Sequence, residues 1–265
     1  MTEAPSIHPT SIVSSRAELG AGVVIGPLCV IHDNVILGKG SIVDSHTVLG
    51  APTAEFYDDP SAYEPATCRI GAGSVIRSHS VFYAGVEIED DFSCGHHVTV
   101  REGTHVGQSV RVGTFSDLQG NLSIGSYSRL HSNVHVGRLS TVEEFVWLFP
   151  YVVLTNDPHP PSDTCTQGPT VRRFAVVATH TTIFPAVEIG EGALVGAMTL
   201  VRKDVPAHSI VVGVPGKVVG STADVVCHDG RLDRVYPWWT HFRRGYPEGV
   251  LPPVDEPAAE SEPSK

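Results

Sequence analysis

Aliphatic residues return every six positions along most of this chain. They fall at Ile7, Val13, Leu19, Ile25, Ile31, Leu37, Val43 and Leu49. The rhythm restarts at Ile70 and holds without a slip to Leu154, and a third block runs from Val171 to Val201, making 29 hexads. The aliphatic residue is often followed by Gly, and the position four later is small or β-branched, as in Leu19-Gly-Ala-Gly-Val and Leu37-Gly-Lys-Gly-Ser. A six-residue period fits neither the α-helical repeat nor the alternation of a long strand, so each hexad predicts a short strand and a tight turn. Three hexads close a triangular coil, with the aliphatic residue pointing inward to fill an axial column. The fold class expected is all-β, a parallel β-helix of about 10 coils. With parallel strands about 4.8 Å apart, the prism is roughly 45 to 50 Å tall.

The pattern breaks at 50–69 and 155–170, which are expected to be loops extruded from the solenoid surface, where function often lies. Residues 1–220 form the β-helix domain. Residues 221–251 are read as a C-terminal extension, with a hairpin at 225–232 around Asp229-Gly230 and with Pro237-Trp238-Trp239 capping the open end of the column. The Pro-, Glu-, Ala- and Ser-rich stretch 252–265 is expected to be disordered.

Composition narrows the partners. Lys and Arg total 18 against a net charge of −11, which disfavours nucleic acid. Five cysteines without CxxC spacing suggest neither a disulfide framework nor a zinc site. The N-terminus lacks signal-peptide character, and no apolar run is long enough to span a bilayer. A soluble, cytoplasmic protein with no membrane partner is expected.

The hexads resemble the left-handed β-helix acyltransferases of the hexapeptide-repeat superfamily over about residues 6–220. The string from Ile189-Gly-Glu-Gly-Ala-Leu-Val-Gly-Ala-Met to Asp204-Val-Pro, closing with Gly213-Val-Pro-Gly-Lys217-Val, looks like the coenzyme-A-binding end of that group. Ile7-His-Pro-Thr-Ser-Ile is similar to lipid A acyltransferases acting on UDP-N-acetylglucosamine. Arg129-Leu-His-Ser-Asn-Val-His135 with Phe149-Pro-Tyr-Val-Val-Leu-Thr-Asn-Asp157 looks closest to N-acyltransferases of nucleotide-linked amino sugars in surface-polysaccharide pathways. The chain departs from these where it has Ser132 in place of a functional Asn, and His159-Pro160 in place of a basic or Tyr-Pro loop. The resemblance implies acyl-coenzyme A as co-substrate, an amino-sugar acceptor, no metal, and a homotrimer with its site between neighbouring prisms.

Acyl transfer needs a proton acceptor, a donor for the developing oxyanion, and a groove aligning the thioester. Residues 18 apart stack on one face of such a coil, so His79, His97 and Asn133 share a column, and His131 projects at a position where Gly is common. His131 is the candidate general base, with His159 as second choice by likeness to a catalytic His of galactoside and xenobiotic acetyltransferases. His97, Asn133, His135, Asn156 and Asp157 are candidate acceptor-binding residues, and Phe56, Tyr57 or Tyr63 could stack on a base. Gly196 and Ala197 would admit the pantetheine arm to the backbone, while Arg172, Arg173, Arg202, Lys203 and Lys217 offer cations for the coenzyme phosphates, Lys217 with the best family support. His131 could equally be an exposed turn or interface residue. O-acetyl transfer, a γ-class zinc carbonic anhydrase using His97, His131 and His135, and a non-catalytic scaffold stay open as other readings.

Overall fold

The structure, a computed structural model, describes residues 4–162 and 164–253. The hexads coil into a left-handed parallel β-helix with three faces. Face A holds 12 strands, face B 10 and face C 9. Successive rungs lie in parallel register, as in Arg111↔Arg129 and Val112↔Leu130 on face A. One pair on face A, Ser209–Val212 with Lys217–Ser221, is antiparallel and ends the column.

Every aliphatic position of the repeat from Ile25 to Val201 is buried in one continuous core. The preference for small residues four positions on has a polar explanation too. Buried hydroxyls there bridge successive coils: Ser128 Oγ donates to the Glu143 carbonyl at 2.7 Å and accepts from the Val146 N–H at 3.1 Å. The glycine after the inward residue is demanded by stacking. A Cβ on Gly113 would lie 2.4 Å from the backbone carbon of His131 in the coil above.

Both breaks in the repeat leave at the same edge, between faces B and C. The first connects Val48–Ala51 to Cys68–Ile70 and contains a short helix, Ala54–Asp58. The second connects Val153–Leu154 to Thr170–Val171.

The C-terminal extension departs from expectation in two ways. Residues 225–232 form no strand pair: the Asp-Gly turn is made, with Gly230 N–H donating to the Cys227 carbonyl at 3.2 Å, but Val226 is 85% exposed with no strand beside it. Residues 236–251 do not cap the column. They run along its side as a strap, because Phe145, Trp147 and Phe174 project from the coils there and give Trp238, Trp239 and Tyr246 an apolar surface to cover. The expected disordered tail lies outside the described residues from 254 onward. Among the described residues no helix is long and apolar enough to cross a membrane.

Candidate active site

The corner between faces A and B carries a ladder of outward side chains. Leu28, His46, His79, His97, Phe115, Asn133, Tyr151, His180 and Met198 all adopt φ between 55° and 63°. At this left-handed position each side chain stands over the one a coil below. His46 stacks on His79 at 4.6 Å, His79 on His97 at 4.7 Å, His97 on Phe115 at 4.9 Å, and Tyr151 on His180 at 4.6 Å. Partial burial, and then the neighbouring His46, His97 and His96, lower the pKa of His79. His97 and Asn133 share this column, but Phe115 separates them.

His131 and His135 flank the corner at Asn133. His131 lies on the face A side, half-buried, its ring stacked on Phe149 at 4.7 Å and tilted against Trp147 at 5.8 Å. Burial lowers its pKa, so at neutral pH it is an uncharged imidazole able to take a proton. Below its ring lies Gly113, which has no side chain to occupy the surface.

His135 lies on face B, with Nδ1 3.4 Å from Asp117 Oδ2. Burial pushes the Asp117 carboxyl up, but hydrogen bonds from His135 and Gln119 outweigh it and hold the acid below its ordinary range. A carboxylate on Nδ1 orients the ring with Nε2 free. Two residues on, Gly137 packs tightly under the next coil, where a Cβ would approach the Leu154 carbonyl at 2.6 Å and Asn156 at 3.4 Å. His131 and His135 thus look out on different faces of one prism.

The second loop stands one corner away, so His159, which is exposed, does not join His131. Asn156 closes the loop through its carbonyl, which accepts from Gln167 N–H at 2.9 Å. Asp157 is spent on the loop itself, accepting from His159 N–H at 3.1 Å and Ser162 N–H at 2.7 Å. The first-loop aromatics pack on each other, Phe56 against Tyr57 at 5.2 Å and against Tyr63 at 5.5 Å.

At the C-terminal end, the Gly196 N–H already donates to the Val211 carbonyl at 2.8 Å, and its own carbonyl accepts from Thr181 and Thr199. Its backbone is therefore not open to a pantetheine arm, which leaves the neighbouring exposed Ala197. Lys203 and Lys217 are exposed. Arg172 is engaged by Glu143 at 2.7 Å and Glu188 at 2.5 Å, and Arg173 by Glu191 at 3.3 Å, so neither is a free phosphate cation.

Asp117 and Trp147 escaped the sequence reading, and Arg129 and Phe149 stood in its motifs without a role. Arg129 is 7% exposed. Its guanidinium donates to the carbonyls of Ser109 at 2.5 Å and Gly245 at 2.9 Å, and lies 4.6 Å from the Tyr246 ring. Trp147 Nε1 and the Tyr246 hydroxyl are buried nearby without a hydrogen bond of good geometry. The 18-residue stacking rule already applied to histidines pairs Asp117 with His135, Arg129 with Trp147, and His131 with Phe149. Among the described residues no three His, Cys, Asp or Glu side chains converge as a metal site, and within one chain His97, His131 and His135 point apart.

Residues 5–51 match the family described as bacterial transferase hexapeptide (six repeats). An acyl-[acyl-carrier-protein]–UDP-N-acetylglucosamine O-acyltransferase of Saccharophagus degradans is 30% identical over 131 residues, 43% of this chain and 51% of that protein. A serine acetyltransferase of Bacillus pumilus is 47% identical over 53 residues, 20% of this chain and 24% of that protein. The chain thus spans about half the length of the first of these relatives and a quarter of the second. Among solved structures, Arabidopsis UDP-N-acetylglucosamine acyltransferase superposes with a TM-score of 0.50 at 18% identity, over 81% of this chain and 74% of that one, which shows the shared fold.

Proposed function

We infer that this chain, a member of the left-handed β-helix hexapeptide-repeat superfamily, is an acyltransferase that moves an acyl group from coenzyme A to the amine of a nucleotide-linked amino sugar. The observation that carries the reading is His131: an imidazole kept neutral by burial and held in one orientation by Phe149 and Trp147. A neutral amine is itself a nucleophile and sheds a proton as the tetrahedral intermediate forms. A moderately basic imidazole without a carboxylate suffices to accept it. Coenzyme A would lie toward the C-terminal coils, with its phosphates against Lys203 and Lys217 and its arm along Ala197. Neighbouring copies in a homotrimer would cover the corner ladder, where Phe115 is 58% and Met198 71% exposed.

A second reading has its own support. Transfer to a hydroxyl needs a stronger base, and Asp117–His135 is a carboxylate-backed imidazole. Both curated relatives described above carry O-acyl or serine acetyl transfer in their names. Initial rates of His131→Ala and Asp117→Asn on paired amino and hydroxy nucleotide sugars separate the two. The amine reading expects a fall of about 10²- to 10⁴-fold for His131→Ala and little change for Asp117→Asn. The reverse order would move the chemistry to face B and favour O-transfer.

A further inference from the structure

We propose that face A directly below His131 is an anion seat for the diphosphate of the acceptor's nucleotide, with Arg111 as its exposed cation and Arg129 as a buried cation behind it. Assigning the anion to the acceptor rests on the transferase reading; the seat itself does not.

Arg111 and Arg129 stand on adjoining rungs of one column, in direct register. Among the described residues neither meets a carboxylate within ion-pair distance, since every ion pair found there lies elsewhere. Arg129 is buried among carbonyls and the Tyr246 ring. A buried cation is costly, and an apolar side chain of similar size would attach the strap as well. Two neighbouring guanidiniums also repel each other, and an anion held between them and solvent relieves that. Burial first, and then the charge of Arg111, lower the Arg129 pKa.

A Cβ on Gly245 would lie 3.5 Å from the Arg111 guanidinium, so the strap backbone borders the pair, while Arg243 turns away to the carbonyls of Leu251 at 3.4 Å and Pro252 at 3.3 Å. Two adjoining arginines without a carboxylate thus stand together in a chain with only 18 Lys and Arg and a net charge of −11. Beside Arg111, Gly95 and Gly113 leave the surface without side chains, because a Cβ at either would strike the coil above at 2.4 Å. His131 follows Arg129 by two residues on the same coil, so a diphosphate seated on Arg111 would have its sugar end directed toward His131.

Two of the other clefts have the wrong sign. One, of about 640 Å³ beside face C, is lined by Glu143, Glu188, Glu191 and Asp204 around the already paired Arg172. Another, of about 730 Å³ under the first loop, is lined by Glu55, Asp59, Glu64 and Glu102. A planar guanidinium suits phosphate because it donates two parallel hydrogen bonds.

All three tryptophans, Trp147, Trp238 and Trp239, lie in the cluster bordering Arg129, so intrinsic emission of the full chain reports the seat. It is titrated with inorganic pyrophosphate, uridine diphosphate, uridine and coenzyme A. Pyrophosphate and uridine diphosphate are expected to give saturable, mutually competitive changes, and uridine none. Arg111→Gln, whose fold is checked by circular dichroism, should raise the Kd for uridine diphosphate about tenfold or more, with Arg111→Lys between the two. No saturable change with pyrophosphate at millimolar concentration, or a pyrophosphate Kd unchanged in Arg111→Gln, overturns the seat. Loss of coenzyme A binding in Arg111→Gln with uridine diphosphate unaffected overturns its assignment to the acceptor. Arg111-dependent pyrophosphate binding in a protein that releases no thiol from acetyl-coenzyme A upholds the seat and sinks the transferase reading instead.

Discussion

Removing Trp238 should release the strap while leaving the column folded. Its ring is 7% exposed and packs 6.0 Å from Trp147, 5.6 Å from Tyr246 and 6.3 Å from Phe174, and its indole N–H donates to the Phe174 carbonyl at 3.2 Å. Truncating a buried tryptophan costs about 3–5 kcal/mol. The axial core contains no residue of the strap, and solenoid stability is a sum of neighbouring contacts, so the loss should stay local. Amide hydrogen exchange of Trp238→Ala reads this directly. The Phe242 and Tyr246 amides, bonded to the carbonyls of Trp238 at 3.0 Å and Arg243 at 3.2 Å, should exchange about 100- to 5,000-fold faster, at about 1.4 kcal/mol per tenfold. The Gly113 amide, bonded to the Leu130 carbonyl at 2.7 Å, should keep its wild-type rate. Equal acceleration at Gly113 would refute the separation and make strap and column one cooperative unit.

Other tests follow from the same contacts. Gly113→Ala places a methyl against the His131–Ser132 backbone and should destabilise the chain by about 1–3 kcal/mol in urea unfolding. Burial holds His131 and His32 below the ordinary 6.5; the unfolded chain therefore binds more protons below that pH, so their contribution is full above about pH 6.5 and is lost on acidification, and the urea midpoint should drop between about pH 8 and about pH 5.5. Burial pushes the thiol of Cys68 up to about 12 and that of Cys94 to about 11, so a thiol reagent should spare both in the native chain and label the exposed Cys165.

The column was legible because a period of six leaves one solution, and each aliphatic position from Ile25 onward sits where the pattern puts it. The strap was not, because Trp238, Phe242 and Tyr246 follow no period, and their partners, Trp147 on a strand beside the inward Leu148 and Phe174 at a turn, leave the hexad undisturbed. For the site, the 18-residue register correctly stacked His79 on His97, but it says nothing about which face each side chain views. His131 and His135, four residues apart, turned out to straddle a corner. Asp157 looked like a ligand in sequence and is a loop cap in structure, a distinction carried by backbone N–H groups that a sequence does not display.

Thiol release from acetyl-coenzyme A, measured with nucleotide-linked amino sugars beside the matching hydroxy sugars, tests the central claim most directly. Turnover with the amino sugars is expected, and His131→Ala should reduce it by about 10²- to 10⁴-fold. No turnover from the coenzyme thioester, with transfer seen only from an acyl-carrier-protein thioester to a hydroxyl, would contradict both the donor and the acceptor proposed.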